Sequence, residues 1–202
     1  TKPIFDKVSN MKWLTAYRED IRQFTALSGK SATHQMLTQQ GLWALMQYRM
    51  ASAVYRSSLP ETLKRFLLMF LIVWQKLIEV VTGIHLPYSA EIGEGLYIGH
   101  FSHVILSSDV VMGCNCQLSQ GVTIGVSGRG EQRGSPVIGD RVYFGENATV
   151  AGKIRIGNDA VIGANSVVVC DVPEACTVVG VPAQIIVQQI DESRPSKNGQ
   201  LR

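Results

Sequence analysis

The sequence has neither a disulfide framework nor a zinc-ribbon pattern. Its four cysteines, Cys114, Cys116, Cys170 and Cys176, contain no CxxC pair, the spacing such sites use. The reducing cytoplasm is therefore the expected compartment. Long apolar runs are also missing. The longest is Phe66 to Trp74 (FLLMFLIVW), and Gln75, Lys76 and Glu79 break the apolar pattern immediately after it. Spanning a bilayer takes about 20 apolar residues, so no transmembrane helix is predicted. Residues 1–10 carry no apolar core of a signal peptide. Charge is sparse, at 17% of residues with a net +3. That is too weak to argue for nucleic acid, although a polyanionic small ligand such as a nucleotide cofactor suits it. Only four histidines are present, and no metal site is expected from them.

What the sequence does have is a period of six. From Ile92, every sixth residue is Ile92, Ile98, Val104, Val110, Cys116 and Val122. The phase breaks, resumes at Ile138 and runs through Phe144, Val150, Ile156, Ile162 and Val168. Cys116, on a key position, reads as a small hydrophobe. Glycine comes directly after the key residue at Gly93, Gly99, Gly139, Gly145, Gly157 and Gly163. A period of six fits neither a helix nor an ordinary amphipathic strand. It fits a parallel β-helix, for which hexapeptide repeats are a signature. Each hexad lays one short strand with its key aliphatic pointing into a prism. The glycine is expected to let the chain turn a corner without a Cβ penalty. Three hexads close a triangular coil, so residues about eighteen apart stack.

The front of the chain reads differently. Met11–Thr25 spaces Trp13, Leu14, Tyr17, Ile21 and Phe24 as one helical face. Ser28–Thr33 reads as a loop, Leu42–Tyr55 as a second helix and Glu61–Thr82 as a third, ended by Gly83. The predicted division is a helical domain over 1–83 and a β-helix over 84–190. A protruding loop over 127–136 marks the phase break, and a polar tail over 191–202, without periodicity, is expected to be disordered. Two readings stand for the apolar run 66–74. It is either buried in a bundle between subunits, or it is a peripheral membrane contact flanked by Lys64, Arg65 and Lys76. The second would place the protein at the inner face of a membrane.

Among the histidines, His100 stands directly behind Gly99 at an expected outward corner. Three stretches occur in order: Leu96-Tyr97-Ile98-Gly99-His100, then Gln120-Gly121-Val122-Thr123-Ile124-Gly125, then Gly180-Val181-Pro182-Ala183. With the Gly-rich loop before residue 136, they resemble the serine acetyltransferase branch of the hexapeptide-repeat acyltransferases over residues 84–186. Arg18-Glu19-Asp20-Ile21 and Leu42-Trp43-Ala44-Leu45, with Tyr48-Arg49, resemble it more faintly.

The resemblance implies a left-handed β-helix and an acetyl-CoA-dependent O-acetyltransferase. It also implies a homotrimer, with a hexamer through the helical domain as the larger alternative. His100 matches the catalytic base, and the Val126 backbone N–H, just after Gly125, matches the oxyanion donor. Gly145, Glu146, Gly163 and Ala164 match the main-chain track of the pantetheine. Gly180 and Pro182 match the far end of the cofactor, and Gly125 is also expected to contact it.

The departures from that branch concern the acceptor. The residue before the histidine is Gly99 where the branch has an Asp. The Asp that orients the histidine is matched by His85, or by Gly83 with a one-residue shift. The branch's Arg-His loop pair aligns with Gly134 and Ser135, with Arg133 one position off. Free serine is a zwitterion that needs an acid and a base. The expected acceptor is therefore a sugar hydroxyl of a surface polysaccharide or its precursor. It would be held by Ser135, Asp109 and Arg133 with Ser102, Ser107 and Ser108, and Asp109 or Glu131 would orient His100. The alternatives are a serine O-acetyltransferase of cysteine biosynthesis and a non-catalytic β-helix scaffold.

Overall fold

The computed structural model describes residues 13–186. The lead-in expected over 1–10 and the tail expected over 191–202 lie outside those residues. Four helices come first: α1 (Trp13–Ser28), α2 (Ala32–Thr38), α3 (Gln40–Arg56) and α4 (Glu61–Thr82). Helix α1 buries Ala16, Tyr17, Asp20 and Phe24, positions three and four apart that share one face. The expected Ser28–Thr33 loop is shorter than predicted. Ser31 caps α2 by accepting the His34 N–H, a role suited to serine. Helix α4 has the predicted bounds and ends on Gly83 at φ 67, the left-handed conformation that glycine enters without strain.

The rest of the described chain is a left-handed parallel β-helix with three flat sides. The first side stacks β1 (Ile84–His85), β4 (Val104–Leu106), β7 (Thr123–Gly125), β10 (Thr149–Ala151) and β13 (Val167–Val168). The second stacks β2 (Glu91–Ile92), β5 (Val111–Met112), β8 (Val137–Ile138) and β11 (Arg155–Ile156). The third stacks β3 (Tyr97–Ile98), β6 (Gln117–Leu118), β9 (Tyr143–Phe144), β12 (Val161–Ile162) and β14 (Thr177–Gly180). It closes with β15 (Ala183–Ile186), which folds back antiparallel on β14.

The hexad reading needs two corrections. The second series is the inward strand set: Ile138 lies over Ile156, Phe144 over Ile162 and Val150 over Val168. The first series slips after Ile98. The strand residues facing inward are Met112, Leu118 and Ile124. Val110, Cys116 and Val122 are the fully buried residues two places earlier. The slip arises because the chain inserts two residues in the corner after β3. Nor do the hexad glycines turn the corners. Left-handed corner positions are held by Asn115, Arg141, Asn147, Asp159, Asn165 and Ala175. A Cβ on Gly145 would instead lie 2.6 Å from the Ala164 nitrogen of the next coil. Close stacking of coils, rather than φ, demands glycine there.

The helices cap the open start of the prism, and one core runs through both parts, from Tyr17, Phe24, Leu45 and Tyr48 into Ile92, Leu96 and Ile98. The junction is polar at its centre. The Arg49 guanidinium donates to both Asp20 carboxylate oxygens at 2.9 and 3.0 Å, and to the Ile92 and Gly93 carbonyls, each at 2.6 Å. Asp20 also accepts the Leu96 N–H at 3.0 Å. Burial works against the Arg49 charge, but the Asp20 carboxylate beside it more than offsets this and raises its pKa. The Tyr48 hydroxyl donates to the Ala90 carbonyl and accepts the Ile92 N–H. Asp20, Tyr48 and Arg49 thus belong to the joint that seats the cap on the first coil.

In the single chain, helix α4 leaves much of its apolar run uncovered. Phe66, Met69, Phe70, Val73, Leu77 and Val80 face outward, with Phe70 at 74% and Val80 at 85% exposure. No described helix is long and apolar enough to cross a membrane.

Candidate active site

The corner between the third and first sides carries His100. From Ile98 to Leu106, the residue in register with Ile124, the chain runs two residues longer than from Leu118 to Ile124 in the next coil. The extra length pushes His100, Phe101 and His103 out, and all three are exposed. The corner is nevertheless tightly held. The Ser102 N–H donates to the Thr82 carbonyl at 2.8 Å, and the Val104 N–H donates to the Gly83 carbonyl at 3.2 Å. The Gly121 N–H donates to the Ser102 carbonyl at 3.2 Å. Ser102 sits at φ 98 and His103 at φ 54, conformations that cost non-glycine residues energy and gather at functional sites.

Below His100, the same corner presents Gly145–Glu146 after β9 and Gly163–Ala164 after β12. They stack directly, as the Gly145–Ala164 approach shows. Asn147 and Asn165 are hydrogen-bonded beside them at 3.3 Å. Gly180, at the end of β14, donates its N–H to the Ser166 hydroxyl at 3.1 Å. Pro182 lies in the turn between β14 and β15. His100 and the expected cofactor positions 145, 146, 163, 164, 180 and 182 therefore line one edge of the prism.

The remaining predicted residues lie on the next edge, between the first and second sides. Gly125 ends β7, and a Cβ there would meet nothing within 4 Å, so the backbone before Val126 is open to a ligand. The loop after it is pinched by paired hydrogen bonds between Ser127 and Gly134 and contains a 3₁₀ turn, Gly130–Gln132, next to Arg133. Ser135 reaches Ser107 at 3.5 Å, and Ser108 donates to Asp109 at 3.3 Å. Glu131 offers its backbone carbonyl to Lys153 at 3.4 Å. The strands of the first side separate this edge from His100 by roughly 10 Å. Within one chain Asp109 and Glu131 thus stand apart from His100.

His85, matched with the orienting acid, is itself partnered. Its Nδ1 lies 2.6 Å from Glu79 Oε1, and Lys76 and Gln75 donate to the same carboxylate. Burial pushes the Glu79 carboxyl up, but these donors outweigh it and hold it below its ordinary value. Sequence reasoning misses Glu79. Its only signal is a lone acid near the end of an apolar helix, six residues before a histidine. His34 sits on α2, in the cap, against Thr38. Among the described residues no group of three His, Cys, Asp or Glu is placed to hold a metal. Burial pushes the Cys116 thiol up to about 12, which fits its packing role.

Comparison with known proteins fits this geometry. Residues 135–170 match the family model of the bacterial transferase hexapeptide (six repeats). The serine acetyltransferase of Bacillus licheniformis is 35% identical over 173 residues, covering 86% of this chain and 76% of that protein. The chain belongs to the serine acetyltransferase family. The Synechococcus elongatus serine acetyltransferase is 35% identical over 151 residues, and the match spans 75% of this chain but only 59% of that relative. The crystal structure of Neisseria gonorrhoeae serine acetyltransferase in complex with serine superposes with a TM-score of 0.75 at 31% identity, covering 91% of this chain and 72% of that one. A serine acetyltransferase in complex with CoA gives 0.72 at 26% identity, covering 91% and 74%.

Proposed function

We propose that the protein transfers the acetyl group of acetyl-CoA to the hydroxyl of serine. The identity to serine acetyltransferases across both the helical cap and the coils carries this reading. These relatives favour serine over the sugar that the altered acceptor positions suggest. His100 takes the proton of the acceptor hydroxyl. The alkoxide oxygen attacks the thioester carbonyl and forms the new C–O bond. The C–S bond then breaks, and the CoA sulfur leaves with the proton from His100. A histidine side chain is the commonest general base for such an exchange. The Val126 N–H would stabilise the oxyanion. His100 and Val126 stand on different edges of one prism, so we place each site between two copies of the chain, in a homotrimer.

A second reading, transfer to a sugar hydroxyl, is favoured by one observation. Gly99, Gly134 and Ser135 stand where a zwitterion would be met by charge, and a neutral polyol needs only hydrogen bonds. The deciding experiment tracks thiol release from acetyl-CoA by the purified protein, with L-serine against a panel of sugars. Serine-dependent release supports the first reading. Release with a sugar alone supports the second.

A further inference from the structure

The corner that carries His100 holds a second, unassigned imidazole. Ser102 Oγ and His103 Nδ1 are 2.6 Å apart, and both residues occupy left-handed backbone. Elsewhere among the described residues, the non-glycine residues at positive φ stand singly, at Asn115, Arg141, Asn147, Asp159, Asn165 and Ala175. The Thr82, Gly83 and Gly121 backbone bonds fix this two-residue kink from the end of α4 on one side and the next coil on the other. Gly83 leaves it no slack, because a Cβ there would lie 3.0 Å from the His103 nitrogen. A rigid, strained corner that displays an exposed imidazole serves no packing purpose.

We propose that His103, oriented by Ser102, binds the carboxylate of the acceptor. The Ser102 contact engages Nδ1 and leaves Nε2 for a ligand, and in the tautomer in which Ser102 donates the ring proton is on Nε2. Nε2–H is then the donor left for a ligand. A donor of this kind suits a carboxylate oxygen. Three residues span at most about 10 Å, so the backbones of His100 and His103 lie within the reach of one amino acid. His100 would face the hydroxyl while His103 faces the carboxylate. The pair supplies a basic contact that Gly134 and Ser135 do not offer. This inference rests on the reading that serine is the acceptor.

The test uses His103→Gly in the full chain. Glycine accepts φ 54 without strain, so the variant removes the imidazole while easing the backbone. KM for serine is expected to rise roughly 10- to 100-fold, with KM for acetyl-CoA held. The wild type should prefer serine over serinamide, which lacks the carboxylate, and His103→Gly should lose most of that preference. His103→Asn keeps a side-chain donor and tolerates the left-handed backbone, and should recover part of it. Ser102→Ala should raise KM for serine by a smaller factor. A His103→Gly enzyme with unchanged KM and an unchanged serine-to-serinamide ratio overturns the inference while leaving the serine reading intact. Absence of serine turnover in the wild type overturns both.

Discussion

Among single residues, chemistry and packing separate cleanly. His100 is exposed at a corner, outside the core. His100→Ala is therefore expected to lower kcat by roughly 10²–10⁴-fold, with an unchanged thermal midpoint and nearly unchanged acetyl-CoA affinity. His100→Asn should do no better, because an amide cannot take the proton. Full turnover in His100→Ala would show that the base is another group. Cys116 is the opposite case. Its sulfur is fully buried and its thiol is pushed up to about 12, so almost no thiolate exists near neutrality. Alkylation followed by mass spectrometry should label the exposed Cys170 rapidly and Cys116 only after unfolding. Fast native labelling of Cys116 would contradict its place inside the prism.

Between elements, the joint of the helical cap with the first coil rests on a buried ion pair. Arg49 is 5% exposed and Asp20 is 0% exposed. Removing one partner leaves a buried charge uncompensated, which costs about 3–5 kcal/mol. Arg49→Met also strands the Ile92 and Gly93 carbonyls that the guanidinium serves. A loss of that size should lower the urea midpoint. The double replacement Asp20→Leu with Arg49→Met should cost less than either single change, since no lone charge remains. Equal midpoints for wild type and Arg49→Met would show that apolar packing alone seats the cap.

Across the whole molecule, the predicted site residues divide between two edges of the prism. One edge holds His100 with Gly145, Glu146, Gly163, Ala164, Gly180 and Pro182, and the other holds Val126 with the loop after it. In the proposed homotrimer a neighbouring copy would bring them together. Helix α4 points the same way, because a ridge of Phe66, Phe70, Val73, Leu77 and Val80 is more apolar surface than a monomer usually leaves open. Light scattering should give a trimer or a multiple of three. Co-assembly of His100→Ala chains with chains lacking residues 128–133 should restore part of the activity that each lacks alone, because some interfaces then combine an intact His100 with an intact loop. A fully active monomer would refute the shared site. Vesicle co-sedimentation of a Phe70→Glu variant beside the wild type separates a bilayer from a second copy as the cover for α4. Loss of wild-type binding to anionic vesicles would favour the bilayer.

The β-helix, its start and its phase break are written in the linear pattern of the chain, while the candidate base comes from the resemblance to the serine acetyltransferase branch. A repeat of one buried aliphatic in six is a local property that each coil states again. Helix α4 is equally legible, since a periodic run closed by Gly83 marks its own end. Contacts between coils settle the rest. The two-residue insertion after Ile98 is invisible to a count of sixes, because Val110, Cys116 and Val122 are buried as well. Hexad glycines such as Gly93, Gly145 and Gly157 answer to the next coil's backbone, which no single hexad reveals. Asp20 and Arg49 are 29 residues apart and meet only across the packed cap. The separation of His100 from Val126 depends on which side of the prism each strand joins, a matter of three-dimensional stacking that linear spacing does not encode.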